Sequence, residues 1–181
     1  ARILDRIPGN QMFALSVAEK TIVLDGLPAT LDGFSIAHIS DLHYSGNIDR
    51  PYFDCVVDQA LGLEADLIAV TGDIIDSPAC VSWLSPTLGR LKCPMGVFYI
   101  LGNHEQRLRD YDRVCESLNA EGFTDLGRKS ATVEFMGARI FLAGNERPWF
   151  RRGPDPGSGE LDAADLRILL SHSPDQLDWA R

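Results

Sequence analysis

The sequence predicts an α/β fold in which a mainly parallel sheet is followed by a second, partly antiparallel sheet. Short apolar runs alternate with longer amphipathic ones, as expected when strands and helices take turns along a chain. Several apolar runs are continuous, which indicates strands buried on both faces. With 181 residues, 45% of them hydrophobic and 24% charged, the chain fits one soluble globular domain over residues 1–181.

The first part of the chain follows this strand and helix rhythm. Expected strands are Thr21–Leu24, Ser35–Ser40, Leu67–Thr71 and Val97–Leu101, and expected helices are Arg50–Leu63, Val81–Leu91 and Leu108–Glu121. The second part departs from it because Ala131–Phe135 and Arg139–Ala143 are joined through Met136-Gly137, which is typical of a hairpin. A further strand is expected at Leu166–Ser171. Ser173-Pro174 then predicts a helix start, with Ser as N-cap and Pro at the first helical position.

Two features precede that last strand. Trp149, Phe150, Arg151 and Arg152 form an aromatic and basic cluster, which fits either contact with a lipid or nucleotide substrate or ordinary packing beside two surface cations. The stretch 152–159 is rich in Gly and Pro, so it is expected to be a loop, either a surface excursion or a lid over a site.

Composition argues against several classes of function. The formal net charge of −9 opposes binding to nucleic-acid polymers, which are held by clustered Lys and Arg. No G-x-G-x-x-G follows the first strand, which disfavours a Rossmann-like nucleotide binder. The cysteines are Cys55, Cys80, Cys93 and Cys115. They include no CxxC pair and are expected to be buried thiols in a reducing compartment.

Location is predicted from hydropathy and from the first residue. No apolar run approaches the roughly 20 residues needed to cross a bilayer, and no signal-peptide pattern opens the chain. A cytoplasmic location is therefore expected. Peripheral contact with a membrane stays open, because the chain begins at Ala1 and an upstream anchor could have been removed.

Four polar clusters stand at the ends of predicted strands. They are Asp41-Leu42-His43, Gly72-Asp73, Gly102-Asn103-His104-Glu105 and Ser171-His172-Ser173-Pro174. The first three are spaced by about 30 residues, the length of one βαβ unit, which places them on neighbouring parallel strands. Ligands of open α/β sheets bind beyond the carboxyl ends of the strands. The side chains of the four clusters are therefore expected to converge.

The residue types in these clusters favour divalent cations. Asp41 and His43 are two residues apart and share a face if the strand persists that far. Asp73 offers two oxygens and could bridge two cations, which lie about 3.5–4 Å apart in two-metal hydrolytic sites. Asn103 adds a neutral oxygen and His172 a nitrogen. This mixed set favours Mn, Fe, Co or Zn over Mg or Ca.

In this order the clusters D-x-H, G-D, G-N-H-E and S-H-S-P resemble the signature of the calcineurin-like metallophosphoesterases, over about residues 34–176. The sequence around Asp41 and His172 is similar to the bacterial branch of membrane-associated phosphodiesterases and UDP-diacylglucosamine pyrophosphohydrolase-like enzymes. The resemblance implies a four-layer α-β-β-α sandwich with two mixed sheets.

The resemblance also implies a role for each residue of the site. Asp41, His43 and Asp73 would hold the first metal, and Asp73, Asn103 and His172 the second. His104 would be the catalytic histidine, which could stabilise the transition state or protonate the leaving oxygen. Asp76 and Glu105 fall at positions that support the ligands.

The resulting hypothesis is a metal-dependent phosphohydrolase. It would cleave phosphodiester, phosphomonoester or pyrophosphate bonds of a small-molecule or lipid-linked substrate, by two-metal activation of water. The alternative is a non-catalytic scaffold or binding module with the same fold and an incomplete metal centre. The retained Asp73, Asn103 and His104 argue for the enzyme.

The alternative arises because the family's final element, G-H-x-H, is absent. Of the four histidines, only His38 is unassigned, and its offset of three from Asp41 points it to the opposite face of a regular strand, as a packed histidine. We therefore expect a domain truncated at its C-terminus, with its last strands missing. The sheet edge left exposed would favour self-association.

Overall fold

The computed structural model describes residues 13–150, 163–176 and 178–180 and contains two stacked sheets. In the first sheet, four parallel strands lie in the order β1 (Ile36–Ile39), β2 (Leu67–Thr71), β3 (Val97–Ile100) and β4 (Thr124–Asp125). In the second sheet, β5 (Ala131–Phe135) pairs antiparallel with β6 (Ala138–Asn145), which pairs parallel with β7 (Leu166–Ser171). The predicted two-sheet α/β class is confirmed. The first sheet is wholly parallel over the described residues, and only the second is mixed.

Both α-helices cover one face of the first sheet. Helix α1 spans Arg50–Gly62 and buries three side chains spaced along one face, Phe53, Val57 and Ala60. Helix α2 spans Asp112–Ala120 and likewise buries Val114, Cys115 and Leu118. These side chains share one apolar core with residues of β1, β2 and β3. The helical spacing of apolar residues in both segments is what selects the buried face.

The other face of the first sheet packs against the second sheet. Leu67 and Ala69 of β2 and Ile100 of β3 contact a core that includes Ile140 of β6 and Leu170 of β7. Every residue of β2 and β3 is buried. Burial on both faces fixes the ends of these strands, and the functional clusters follow directly after them.

The outer parts of the second sheet are less covered. A small cluster of Phe141 and Ala143 lies on its far face, with Leu169 and Trp179 packed against it. Strand β7 stands at the end of the sheet order, and no strand within the described residues pairs with its outer edge. No helix of the described chain is long and apolar enough to cross a bilayer.

Two elements differ clearly from the sequence prediction. The segment Thr21–Leu24 forms no strand, and Ile22 and Val23 are 76% and 87% exposed. A β-propensity run without a partner strand has no hydrogen-bonding ladder to join. The expected helix Val81–Leu91 is replaced by two 3-10 helices, Pro78–Trp83 and Leu88–Arg90. Pro86 lies between them and has no N–H to donate to a continuing helix.

The remaining differences are smaller. The helix expected from Ser173-Pro174 is one 3-10 turn, Pro174–Gln176. Strand β4 was not predicted, because two residues carry no periodic signal. His38 is exposed rather than packed, and its Nε2 lies 2.6 Å from Thr71 Oγ1. Cys55 is exposed, whereas Cys80 and Cys115 are buried as expected. Arg151, Arg152 and the 152–159 loop lie outside the described residues.

Candidate metal centre

Two loops beyond β1 and β2 run side by side and carry the first site residues. The backbone N–H of Asp41 donates to Gly72 O at 3.1 Å, and that of His43 donates to Asp73 O at 2.9 Å. Tyr44 then forms a parallel bridge with Ile75. The pairing of the strands therefore continues as backbone hydrogen bonds between the loops, which holds the two sets of side chains together.

The residues on these loops adopt an uncommon backbone conformation. Asp41, His43 and Asp73 have φ values of 56°, 48° and 52°, in the left-handed region that non-glycine residues seldom occupy. Strand β1 ends at Ile39, so the condition on which Asp41 and His43 were expected to share one face, a strand that continues to His43, is not met. Left-handed backbone concentrates at functional sites, where the surroundings hold it in place.

Asp73 is the centre of the cluster and is only 3% exposed. Its Oδ1 accepts a hydrogen bond from the backbone N–H of His104 at 2.9 Å. The same oxygen lies 3.4 Å from His172 Nε2. The other oxygen, Oδ2, lies 3.8 Å from His43 Nε2 and 3.7 Å from His104 Nε2. One carboxylate thus faces three imidazole rings, each through its Nε2 atom.

The hydrogen bonds of His172 determine which of its ring nitrogens could bind a cation. Its Nδ1 lies 2.8 Å from Thr71 O, and because a carbonyl only accepts, Nδ1 carries the proton. In the neutral ring Nε2 then presents a lone pair, 3.2 Å from Asn103 Oδ1 and 3.4 Å from Asp73 Oδ1. Three electron-rich atoms converge with no proton between them, which is favourable when a cation lies among them.

Asp76 orients the other two rings. Its Oδ1 lies 3.0 Å from His43 Nδ1 and 2.6 Å from His104 Nδ1. Both rings therefore donate through Nδ1 and turn Nε2 toward Asp73. A carboxylate that accepts the second N–H of a histidine in this way is the usual partner of a metal-binding imidazole.

The pKa values of this group follow from the same contacts. Burial lowers the pKa of His43, but the hydrogen bond and charge of Asp76, with Asp73 and Asp41, outweigh it and raise the pKa above its ordinary value. Burial would raise the pKa of Asp76, yet the hydrogen bonds from His43 and His104 hold it below its ordinary value.

Among the described residues, two sets of three ligand atoms lie close enough to hold an ion. His43, Asp73 and His104 form one set, and Asp41, Asp73 and His172 form the other, with the atoms of each set within 4.8 Å of one another. Asp73 belongs to both, as a bridging carboxylate must. The grouping differs from the one implied by the resemblance, which paired Asp41 with His43. His104 Nε2 also lies as near to Asp73 Oδ2 as His43 Nε2 does.

Glu105, which the resemblance places among the residues that support the ligands, accepts four backbone hydrogen bonds. Its side chain is 0% exposed, and Oε1 accepts the backbone N–H groups of Ile74 and Ile75 at 2.6 and 2.8 Å. Oε2 accepts those of Asp73 and Gly102 at 3.1 and 2.8 Å. Burial raises the pKa of Glu105, with hydrogen bonds from the backbone acting against it. This carboxylate fixes the loop that carries Asp73.

Two glycines let the loops after β2 and β3 approach each other. A Cβ atom on Gly102 would lie 2.5 Å from the backbone N of Asp73 and closer still to its Oδ1. A Cβ on Gly72, whose φ is +86°, would lie 2.5 Å from Gly102 N. Both positions therefore exclude larger residues, which explains the glycine in G-D and in G-N-H-E.

Two further residues border the cluster. The Trp149 ring centroid lies 5.6 Å from that of His172 in an edge-to-face contact. On the other side, Arg107 Nη1 lies 3.5 Å from His104 Nδ1, and the guanidinium is largely exposed. Trp149 was noticed in the sequence only as part of an aromatic and basic cluster.

Comparison with known proteins identifies the group of proteins to which these elements belong. Residues 34–180 match the profile of the calcineurin-like phosphoesterases. An uncharacterized metallophosphoesterase of Helicobacter pylori is 27% identical over 166 residues, which cover 89% of this chain and 43% of that protein. YkuE, an uncharacterized metallophosphoesterase of Bacillus subtilis, is 29% identical over 166 residues, with 89% and 58% covered.

A third relative is a transmembrane protein with a metallophosphoesterase domain from Danio rerio. It is 28% identical over 171 residues, which cover 87% of this chain and 39% of that protein. The chain thus spans between 39% and 58% of the length of these three relatives. The profile match includes all four clusters of the site. The chain belongs to the calcineurin-like phosphoesterase family.

Proposed function

We propose that this domain hydrolyses phosphoester bonds with two divalent cations held around Asp73. One observation carries the proposal. The lone pair of His172 Nε2 faces Asn103 Oδ1 and Asp73 Oδ1, at 3.2 and 3.4 Å, while the second Asp73 oxygen faces two further rings. Such a set of acceptors fits a pair of cations that share one carboxylate. Membership in a phosphoesterase family supports the same chemistry.

The proposed ligands are Asp41, His43, Asp73, Asn103 and His172. Mn, Fe, Zn or Co suit their mixture of nitrogen and oxygen atoms. Bound cations would supply a hydroxide at neutral pH and neutralise the charge that develops on the phosphate. Asp41 lies within reach of both sets, because it groups with His172 and its Oδ1 is 3.8 Å from His43 Nε2.

His104 is proposed as the catalytic acid. Its Nδ1 donates to Asp76 Oδ1 at 2.6 Å, so the carboxylate fixes the orientation of the ring. The Nε2 atom is then directed toward the centre, 3.7 Å from Asp73 Oδ2. A proton held there can pass to the leaving oxygen of an ester, a contribution of about 10²–10⁴ in rate.

The substrate class is proposed from charge and family. Phosphodiesters, phosphomonoesters and pyrophosphates of small molecules or lipids fit, whereas nucleic-acid polymers are not expected for a chain of net charge −9, because they need an extended basic surface. The cytoplasmic location, with peripheral contact to a membrane, remains a prediction.

The decisive experiment distinguishes a metal ligand, Asp73, from the proposed catalytic acid, His104. Manganese content and hydrolysis of diphenyl phosphate, whose phenoxide leaving group is basic enough to benefit from a proton, are measured for the wild type, Asp73→Asn, His104→Asn and the control Asp58→Asn, whose exposed carboxylate is paired with Arg90. We expect about two Mn²⁺ per wild-type chain, as in two-metal sites. Asp73→Asn should lose the metal, whereas His104→Asn should keep it and lose about 10²–10⁴ in kcat.

The same measurements can contradict the proposed roles. Loss of metal in His104→Asn as severe as in Asp73→Asn would make His104 a ligand rather than the acid. A wild type that binds Mn²⁺ without hydrolysing any ester would favour the non-catalytic scaffold, and a wild type that binds no Mn²⁺ would contradict the metal centre itself.

Self-association through the outer edge of β7 is proposed as a separate property. No described strand pairs with that edge. Unpaired edges template pairing with another chain. Sedimentation velocity across a hundredfold range of concentration should show a dimer, and a monomer throughout would contradict the idea.

A further inference from the structure

Trp149 stands beside the metal centre without being a ligand. Its ring meets that of His172 at an interplanar angle of 68°, with 5.6 Å between the centroids. His172 in turn faces Asn103 and Asp73 through Nε2. The indole is only partly buried. It therefore adds an aromatic wall next to the ligand atoms, with part of its surface left for another molecule.

The turn that carries Trp149 is held at several points. Glu146 O accepts the backbone N–H groups of Trp149 and Phe150, at 3.1 and 3.0 Å. The side-chain amide of Gln106 donates to Trp149 O at 2.9 Å, which ties the turn to the segment after His104. A ring on a fixed backbone loses little conformational entropy when it binds a ligand.

Packing of the protein interior does not account for this tryptophan. The neighbouring Phe150 packs against the core on the helical side and contacts the Tyr111 ring with 4.9 Å between centroids. Trp149 belongs to none of the three apolar clusters found in the described part of the chain. The two adjacent aromatic residues therefore have different surroundings: one fills the core and the other borders the metal centre.

The rest of the border is polar, which gives Trp149 a distinct role. Asp41 is an exposed carboxylate, Asp76 is a partly exposed one, and Arg107 lies near His104. Anionic groups of a ligand are repelled by the carboxylates and attracted to the cations and Arg107. An uncharged planar group finds a matching surface only at the indole among these bordering side chains.

We propose that Trp149 determines specificity by binding a flat aromatic group attached to the phosphorus centre of the ligand. The preferred substrates are then phosphoesters with an aromatic substituent rather than small alkyl esters. This inference rests on the proposed function, because it requires the phosphate to be held by the cations around Asp73. Trp149 touches the substituent and takes no part in the bond cleavage.

The test compares two phosphonates, which cannot be hydrolysed at the P–C bond. Binding of phenylphosphonate and methylphosphonate to the Mn²⁺-loaded chain is measured by titration calorimetry. The wild type should bind the phenyl compound about tenfold more tightly, the order expected for stacking of one ring on an indole. Trp149→Ala should bind both equally, and Trp149→Phe should retain most of the preference.

Two controls keep this test decisive. Trp179→Ala removes an indole packed on the far face of the second sheet and should leave the preference unchanged. If Trp149→Ala fails to fold or to hold metal, Trp149→Leu replaces it, since leucine keeps apolar volume without a ring and should also lose the preference. With bis-p-nitrophenyl phosphate, loss of the ring should raise KM about tenfold and change kcat little.

The outcomes distinguish this inference from the function beneath it. If the variants without a ring prefer phenylphosphonate over methylphosphonate by the same factor as the wild type does, the role of Trp149 is overturned and the phosphate site is left intact. Failure of the Mn²⁺-loaded wild type to bind either phosphonate would overturn the phosphate site, and the role of Trp149 with it.

Discussion

Replacement of Glu105 by Gln tests how the metal centre is held in place. The substitution keeps the shape of the side chain and removes one of two accepting oxygens. Each oxygen accepts two backbone N–H groups, those of Ile74 and Ile75 or those of Asp73 and Gly102. Whichever way the amide turns, two buried donors face an NH₂ group instead of an acceptor.

The expected loss of stability follows from these two bonds. Hydrogen bonds to a charged group contribute about 1.5–3 kcal/mol each, so the two lost bonds amount to roughly 3–6 kcal/mol. Removing a buried charge offsets part of this, because the raised pKa of Glu105 shows that its ionisation is disfavoured by burial. We expect a net decrease of about 2–4 kcal/mol in the free energy of unfolding, a lowering of Tm by roughly 4–16 °C.

Urea and thermal unfolding, followed by circular dichroism, measure this change. Because Asp73 is carried on the loop that Glu105 holds, Mn²⁺ affinity should fall as well, by about 10–100-fold. The matched control is Glu116→Gln on the exposed side of α2, which should change stability by less than about 0.5 kcal/mol. A Glu105→Gln variant as stable as this control, with unchanged Mn²⁺ affinity, would refute the reasoning.

Two more perturbations act on the same centre. In Gly102→Ala the new Cβ would collide with Asp73, so Mn²⁺ binding should be lost in calorimetry. In the control Gly62→Ala nothing lies within 4 Å of the added atom, and binding should be kept. The raised pKa of His43 means that protons compete with the cation up to a higher pH than for an ordinary histidine. The Mn²⁺ affinity should therefore be constant above that pKa and fall by about tenfold per pH unit below it. A Mn²⁺ affinity that does not change between pH 8 and pH 6 would contradict this.

Much of the fold was predictable because its central strands are buried on both faces. Leu67–Thr71 was predicted with its observed bounds, and Val97–Ile100 to within one residue. Prediction failed where local pattern does not decide the outcome. Thr21–Leu24 has strand composition and no partner, and the segment after Ser77 forms 3-10 turns because Pro86 interrupts a longer helix.

The residues of the candidate site likewise divide into those that the sequence could locate and those that it could not. Asp73 and Asn103 could be located because they follow buried parallel strands, whose ends meet at one edge of the sheet. The left-handed backbone of Asp41 and His43 could not be predicted from their spacing, and neither could the proximity of Asp41 to His172. Trp149 was not assigned to the site, since its contact with His172 depends on how separate loops fold over one another.

The left-handed residues add a conformational cost to the candidate metal centre. Asp41, His43 and Asp73 each hold a conformation that costs about 1–2 kcal/mol for a non-glycine residue. Their sum is a substantial part of the roughly 5–15 kcal/mol that stabilises a domain. This cost is offset by the hydrogen bonds that Glu105 accepts and by the backbone hydrogen bonds between the two loops. Because these bonds join groups of the protein itself, they contribute to orienting the ligands, and less of the binding free energy of a cation would be consumed in ordering them.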